Sequence, residues 1–141
     1  MAIIWRKGMS VNNDIIDHDH HFLINFINTV ELLLKSPDEK DMLLEVFDQL
    51  YDYTSKHFRR EEMIQRKIEY PKSLHHKNAH VALLESLRKT QKEIEQTHSF
   101  EEIQSKSDDV INFLRSWLVD HILKEDMQLK PYLEKHPRAF S

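Results

Sequence analysis

The 141-residue sequence has no cysteine, which excludes disulfides, iron–sulfur clusters and zinc–thiolate sites; any metal must be held through nitrogen and oxygen. Glycine occurs once, at Gly8, and proline four times. So few chain breakers, beside abundant Leu, Ile, Lys, Glu, Gln and Asp, suit long helices better than turn-rich sheets, and the expected fold class is all-α. Also missing are a run of about 18 apolar residues that could span a bilayer and, after Met1, the apolar stretch of a signal peptide. The expectation is therefore no membrane association and cytoplasmic residence. There is no basic stripe either: the net charge is −4 with both signs dispersed, so nucleic acid is not an expected partner. What is plentiful is histidine, ten of them, clustered inside helical patterns.

Hydrophobic periodicity organises the chain as one domain, 1–141. Residues 1–16 lack a sustained period and read as an extended N-terminal arm, with Ile3, Ile4 and Trp5 lying against the body. A first helix is predicted from about Asp17 to Lys35, carrying Leu23, Ile27, Val30 and Leu34 on its inward stripe. His20 extends that stripe, while His18 and His21 point to solvent. Ser36-Pro37-Asp38-Glu39 has the form of a capping box and predicts a second helix running to about Arg66. Pro71 can open a third as its first residue, continuing to about Gln96 with Leu83, Leu84, Leu87 and Ile94 inward. A fourth starts near 100, capped by Ser99, or near 108; Val110, Ile111, Phe113, Leu114, Trp117, Leu118, Ile122 and Leu123 form its apolar face. Pro131 ends or kinks it, leaving a short turn and a loose C-terminal tail over about 129–141. Four such helices with short connections predict an antiparallel up-down-up-down four-helix bundle over about 17–128.

Polar residues interrupt the apolar stripes in register. Leu43, Val46, Phe47, Leu50 and Thr54 set a rhythm that continues onto His57, Glu61 and Ile64. His76 and His80, four apart, share the inward face of the third helix, and His121 lies on that of the fourth, with Asp126 close behind. Burying such groups costs several kcal/mol each unless a partner satisfies them. Five imidazoles and two carboxylates supply few protons and much lone-pair density, which is what metal ions accept. If two six-coordinate metals share them, with both carboxylates and an oxide or hydroxide bridging, one position stays open. Zinc or manganese could occupy such ligands, but an open position on a redox-capable metal suits non-haem iron and O2. Five residues turn an ideal helix through about 140°, so His121 and Asp126 meet one site only through a π-bulge or other irregularity, or across a cluster wide enough for both; a distorted helix between them is predicted.

These residues fall into motifs: Asp17-His18-Asp19-His20, His57-Phe58-Arg59-Arg60-Glu61-Glu62, Tyr70-Pro71 followed by His76-Lys77-Asn78-Ala79-His80, and Trp117-Leu118-Val119-Asp120-His121 with Asp126. In order and spacing the chain resembles the hemerythrin family from Trp5 to about Asp126, and as a free-standing domain it is similar to single-domain bacteriohemerythrins. The resemblance implies two non-haem iron ions with a bridging oxo or hydroxo group. His76, His80 and His121 would hold one iron, His20 and His57 the other, and Glu61 and Asp126 would bridge them. O2 would bind reversibly at the open position of the second iron, for storage, delivery or sensing, without catalysis. Leu23, Phe58, Leu83, Trp117, Leu118 and Ile122 would wall the O2 pocket. Gln65 stands where the family often has Met, a departure expected to affect packing only. The alternative is a di-iron oxidase or peroxidase, or an iron-handling protein, using the same site. Ferritin-like di-iron enzymes need two Glu-x-x-His motifs, and only Glu95-Gln-Thr-His98 has that form here. The His76–His80 segment also lacks the Glu of a zinc-protease motif.

Overall fold

The computed structural model describes residues 2–140, and among them there is no strand. Four long helices, α1 (Asp14–Leu34), α2 (Lys40–Lys67), α3 (Ser73–Glu95) and α4 (Phe100–Asp120), form an antiparallel four-helix bundle. α1 packs broadly on α2 and α4, and α2 on α3, whereas α3 and α4 touch only sparingly. The stripes read from sequence meet in the middle: Leu23, Ile27, Val30, Phe47, Leu50, Leu87, Ile94 and Leu114 are buried in one continuous core. Leu123 is an exception, half exposed to solvent.

The helix ends depart from expectation, each for a local reason. α1 begins three residues early because Asn13 caps it: the Asn13 side-chain oxygen accepts from the amides of Ile15 and Ile16, both at 3.1 Å. The Ser36–Glu39 capping box does not form. Ser36 Oγ instead donates back to the Leu32 carbonyl at 3.0 Å, and Asp38 is left-handed at φ 62°, so α2 cannot start before Lys40. Pro71 does not open α3. It lies in a turn after α2 closes in a Schellman motif, with Glu69 left-handed at φ 54°, Tyr70 N–H bonding Gln65 O at 2.9 Å and Glu69 N–H bonding Arg66 O at 3.2 Å. α4 does start at the earlier of its two predicted positions, with Ser99 Oγ accepting from the Glu102 amide.

Regular α4 ends at Asp120, well before Pro131. A π-helical turn, His121–Glu125, and a 3₁₀ turn, Asp126–Leu129, lead into a short α5 (Lys130–Leu133), and Pro131 sits in its first turn, where no backbone donor is needed. The tail is not loose. The Arg138 carbonyl accepts from the Asp14 amide at 2.7 Å, its guanidinium reaches Asn12 and Asp14, and the Phe140 carbonyl accepts from Asn13 Nδ2. Together Val11, Ile16, Ile64, Tyr70, Leu129 and Leu133 make a second small core under this end of the bundle. In the arm, Ile3 and Trp5 pack on the body, with Ile3 held by two hydrogen bonds to Asn28, but Ile4 points outward at 71% exposure. No helix among the described residues is long and apolar enough to cross a membrane.

Candidate metal centre

Because the bundle is antiparallel, the start of α1, the end of α2, the start of α3 and the end of α4 meet at one end. All seven residues singled out from sequence lie there and are buried: His20 on α1, His57 and Glu61 on α2, His76 and His80 on α3, His121 in the π turn and Asp126 at its exit. The π turn is the expected distortion. It inserts the extra rotation that carries Asp126, whose amide bonds back to the carbonyls of His121 and Ile122, round to the face of His121.

The two carboxylates divide their oxygens between two sets of imidazoles. Glu61 Oε1 faces His76 Nε2 at 3.0 Å and His80 Nε2 at 3.3 Å, while its Oε2 faces His57 Nε2 at 3.2 Å and His20 Nε2 at 3.9 Å. Asp126 Oδ1 faces His76 at 2.7 Å and His121 at 2.9 Å, and its Oδ2 faces His20 at 2.9 Å. Two overlapping groups result, Glu61-His76-His80-His121-Asp126 and His20-His57-Glu61-Asp126, each offering ligand atoms within 4.8 Å of one another.

Most of these contacts are close without being hydrogen bonds. The Nε2 atoms of His20, His57, His80 and His121, both oxygens of Glu61 and Oδ2 of Asp126 are buried and have no aligned hydrogen-bond partner among the described residues. So many orphaned lone pairs at one point are costly alone and are satisfied by a cation placed between them; the donor set fits a pair of metal ions. Protonation tells the same story. Burial pushes His57 down, but its hydrogen bond to Asp19 and the neighbouring Glu61 carboxylate outweigh it and bring it to about 9; burial is likewise outweighed at His76, which Asp126 and Glu61 raise to about 10. Burial would also raise Glu61 and Asp126, yet the surrounding imidazoles hold both carboxyls well below the usual range. Without metal, protons on imidazole compensate the two carboxylates, and these are the protons a metal would displace.

Behind the imidazoles stand residues whose roles the sequence did not disclose. Asp19 meets His57 Nδ1 at 2.9 Å, Gln65 meets His76 Nδ1 at 2.7 Å, and Glu62 meets His80 Nδ1 at 2.8 Å. Gln65 thus does more than alter packing. Both buried residues were on core stripes, Asp19 three after Ile16 and Gln65 four after Glu61, and a polar side chain in such a place was the available signal. Of the expected pocket wall, Leu23, Phe58, Trp117, Leu118 and Ile122 are buried and Leu83 partly so. Phe58 stacks flat on His80, 3.7 Å between centroids, and Trp117 Nε1 donates across the α3–α4 seam to Leu83 O at 3.0 Å.

Residues 11–133 match the family model described as the hemerythrin HHE cation binding domain. The chain belongs to the hemerythrin family. A bacteriohemerythrin of Stenotrophomonas maltophilia is 25% identical over 139 residues, which is 99% of this chain and 86% of that relative. One of Campylobacter jejuni is 29% identical over 129 residues, 92% of this chain and 93% of the relative. A crystal structure of wild-type hemerythrin superposes with a TM-score of 0.79 at 26% identity, covering 94% of this chain and 98% of that one. The hemerythrin fold and a buried His/Glu/Asp cluster able to hold metal therefore coincide in this chain.

Proposed function

We propose that this hemerythrin-family protein holds two non-haem iron ions and binds O2 reversibly, as a carrier, store or sensor and not as an enzyme. The observation that carries this reading is the division of the Glu61 and Asp126 oxygens between a three-imidazole and a two-imidazole group. His76, His80 and His121 would ligate one ion, His20 and His57 the other, and Glu61 and Asp126 would bridge. Bound there, a pair of ferrous ions would supply the electrons that O2 takes up on binding, and the side held by only His20 and His57 would be the one with room for it. The chain's own residues then keep that centre dry. Phe58 packs against His57, His80 and His121, and with the buried Leu23, Trp117, Leu118 and Ile122 it would wall the centre with apolar atoms, excluding the water and anions that favour irreversible oxidation. A groove of about 370 Å³ between α3 and α4, lined by Ala79, Ala82, Trp117 and His121, runs along the three-histidine side of the centre.

Five imidazoles against two carboxylates favour holding O2 over activating it, in contrast to the carboxylate-rich sites of ferritin-like di-iron enzymes. The test is iron analysis with visible spectroscopy. About two irons per chain and a band that appears in air and reverses under vacuum are the expected result. Bleaching that does not reverse, with turnover of a reductant, would make the protein an oxidase; absence of bound metal would remove the reading altogether.

A further inference from the structure

The imidazoles around the two carboxylates are not held alike. Asp19 is 3% exposed and accepts four bonds at once: from His57 Nδ1 at 2.9 Å, Arg60 Nε at 2.8 Å, Arg60 Nη2 at 2.7 Å and the Tyr53 hydroxyl at 2.7 Å. A carboxylate can only accept, so Nδ1 of His57 carries a proton and Nε2, which faces Glu61, is the nitrogen turned toward the metal position. The clamp crosses from α1 to α2, and the Arg60 guanidinium lies 5.6 Å from the centroid of the Tyr53 ring. His20 is the opposite case. It is 1% exposed and faces the same side of the two carboxylates, yet its Nδ1 has no hydrogen-bond partner among the described residues. On the other side, the neutral amide of Gln65 backs His76.

We propose that Asp19, itself fixed by Tyr53 and Arg60, is a positioning residue that makes His57 the rigid ligand and His20 the yielding ligand of the metal on the two-histidine side. This rests on the two-metal reading above. A carboxylate behind an imidazole fixes its tautomer and ring orientation and raises its basicity toward the metal. An imidazole with nothing behind it can tilt. The asymmetry falls on the side where an incoming ligand must be accommodated, so one ligand anchors the ion while the other adjusts.

The experiment is anaerobic loading with ferrous iron, followed by the release of each ion into an excess of ferrous chelator. From the wild type, two phases are expected. Asp19→Asn accelerates one of them about 10–100-fold and leaves the other unchanged, whereas Gln65→Leu accelerates the other. Tyr53→Phe and Arg60→Lys keep Asp19 but loosen it; each gives a smaller acceleration of the same phase as Asp19→Asn and moves the solvent-exchangeable, metal-shifted Nδ1–H resonance of His57. Asp19→Glu restores part of the wild-type rate. If Asp19→Asn does not fold, the Tyr53 and Arg60 variants decide the matter: wild-type release and an unmoved resonance in both overturn the proposal. So does equal acceleration of both phases in step with a lower melting point, the mark of a merely structural α1–α2 tie. A wild type that takes up no pair of ions removes the two-metal reading along with this one; a wild type that takes up two, with variants that release like it, removes this proposal alone.

Discussion

Where α1 ends and α2 begins, Leu34, Leu43, Phe47 and Ile94 are at most 1% exposed in an apolar core, and buried polar groups nearby, such as Glu31 with Arg115 and Gln91 with Asp48, find partners in the chain; at the opposite end the bundle buries His20, His57, Glu61, His76 and Asp126 to the same degree. The first end is complete as it stands, since burial of apolar area and close packing need nothing beyond the chain. The second leaves buried nitrogens and oxygens without hydrogen bonds. One bundle thus contains an end completed by its own packing and an end whose buried nitrogens and oxygens a cation would satisfy. The two ends differ in what completes them, so each can be perturbed while the other reports.

The largest expected effect is at the apolar end. Phe47→Ala empties a fully buried site and is expected to cost about 3–5 kcal/mol, the same in metal-free and metal-loaded protein, as read by denaturant titration of both. A loss that depended on metal would break the separation of halves. Next comes the centre itself. His76→Ala is expected to abolish most iron uptake and, with it, the metal-dependent stabilisation, while His75→Ala, one residue away but 68% exposed and paired with Glu125 at 3.4 Å, leaves both intact. Iron analysis and melting curves of the two variants check this; equal losses would contradict the assignment of His76 as a ligand.

A smaller effect is expected from pH in metal-free protein. His57 and His76 are raised from an ordinary 6.5 to about 9 and about 10. Groups raised on folding contribute stability that is fully present below 6.5 and lost as pH climbs through the folded values. Glu61 and Asp126 are lowered, so they stay ionised throughout that window and their contribution is lost only in acid. The melting point of metal-free protein should therefore fall between about pH 7 and about pH 10, measured in chelator. Metal-loaded protein, having already released those protons, should lack the slope, and metal affinity should rise over the same range.

Six of the seven polar residues were legible because each continues a stripe whose other members are apolar, and stripe membership follows from 3.6-residue periodicity alone, whereas Asp126 came from the family motif. The π turn was legible from the same periodicity: His121 and Asp126, five positions apart, cannot share a face of a regular helix. What sequence withheld was pairing across helices. Asp19 and His57 are 38 positions apart, and only the mutual rotation of α1 and α2 brings them to 2.9 Å. The ends were withheld where one side chain had two uses. Ser36 can cap the following helix or bond back to the one before, and the left-handed Asp38 decides for the second. Likewise the tail looked loose because the Arg138 clamp on Asn12 and Asp14 joins opposite ends of the chain, a contact no local pattern announces.

The smallest expected effect lies in the loop that joins α2 to α3 beside the metal centre. Glu69 occupies the left-handed position of the Schellman motif at φ 54°, where a Cβ is crowded against its own carbonyl and glycine is the usual residue. Tyr70, next in sequence, is buried and packs with Ile64, so the turn cannot relax without giving up that contact. Glu69→Gly removes the strain at the cost of greater freedom in the unfolded chain, and the net gain expected is about 0.5–1 kcal/mol. For a chain of this length that corresponds to a rise of about 2–4 °C in melting temperature. The gain should be the same with and without metal, because the strain resides in backbone shared by both states. Iron content should not change, since the Gln65 carbonyl keeps its bond from Tyr70 and the Gln65 side chain keeps His76. A gain seen only in the loaded form would mean that this turn relaxes when metal is absent, and the sharp division between a self-sufficient end and a cation-dependent end would then extend into the backbone itself.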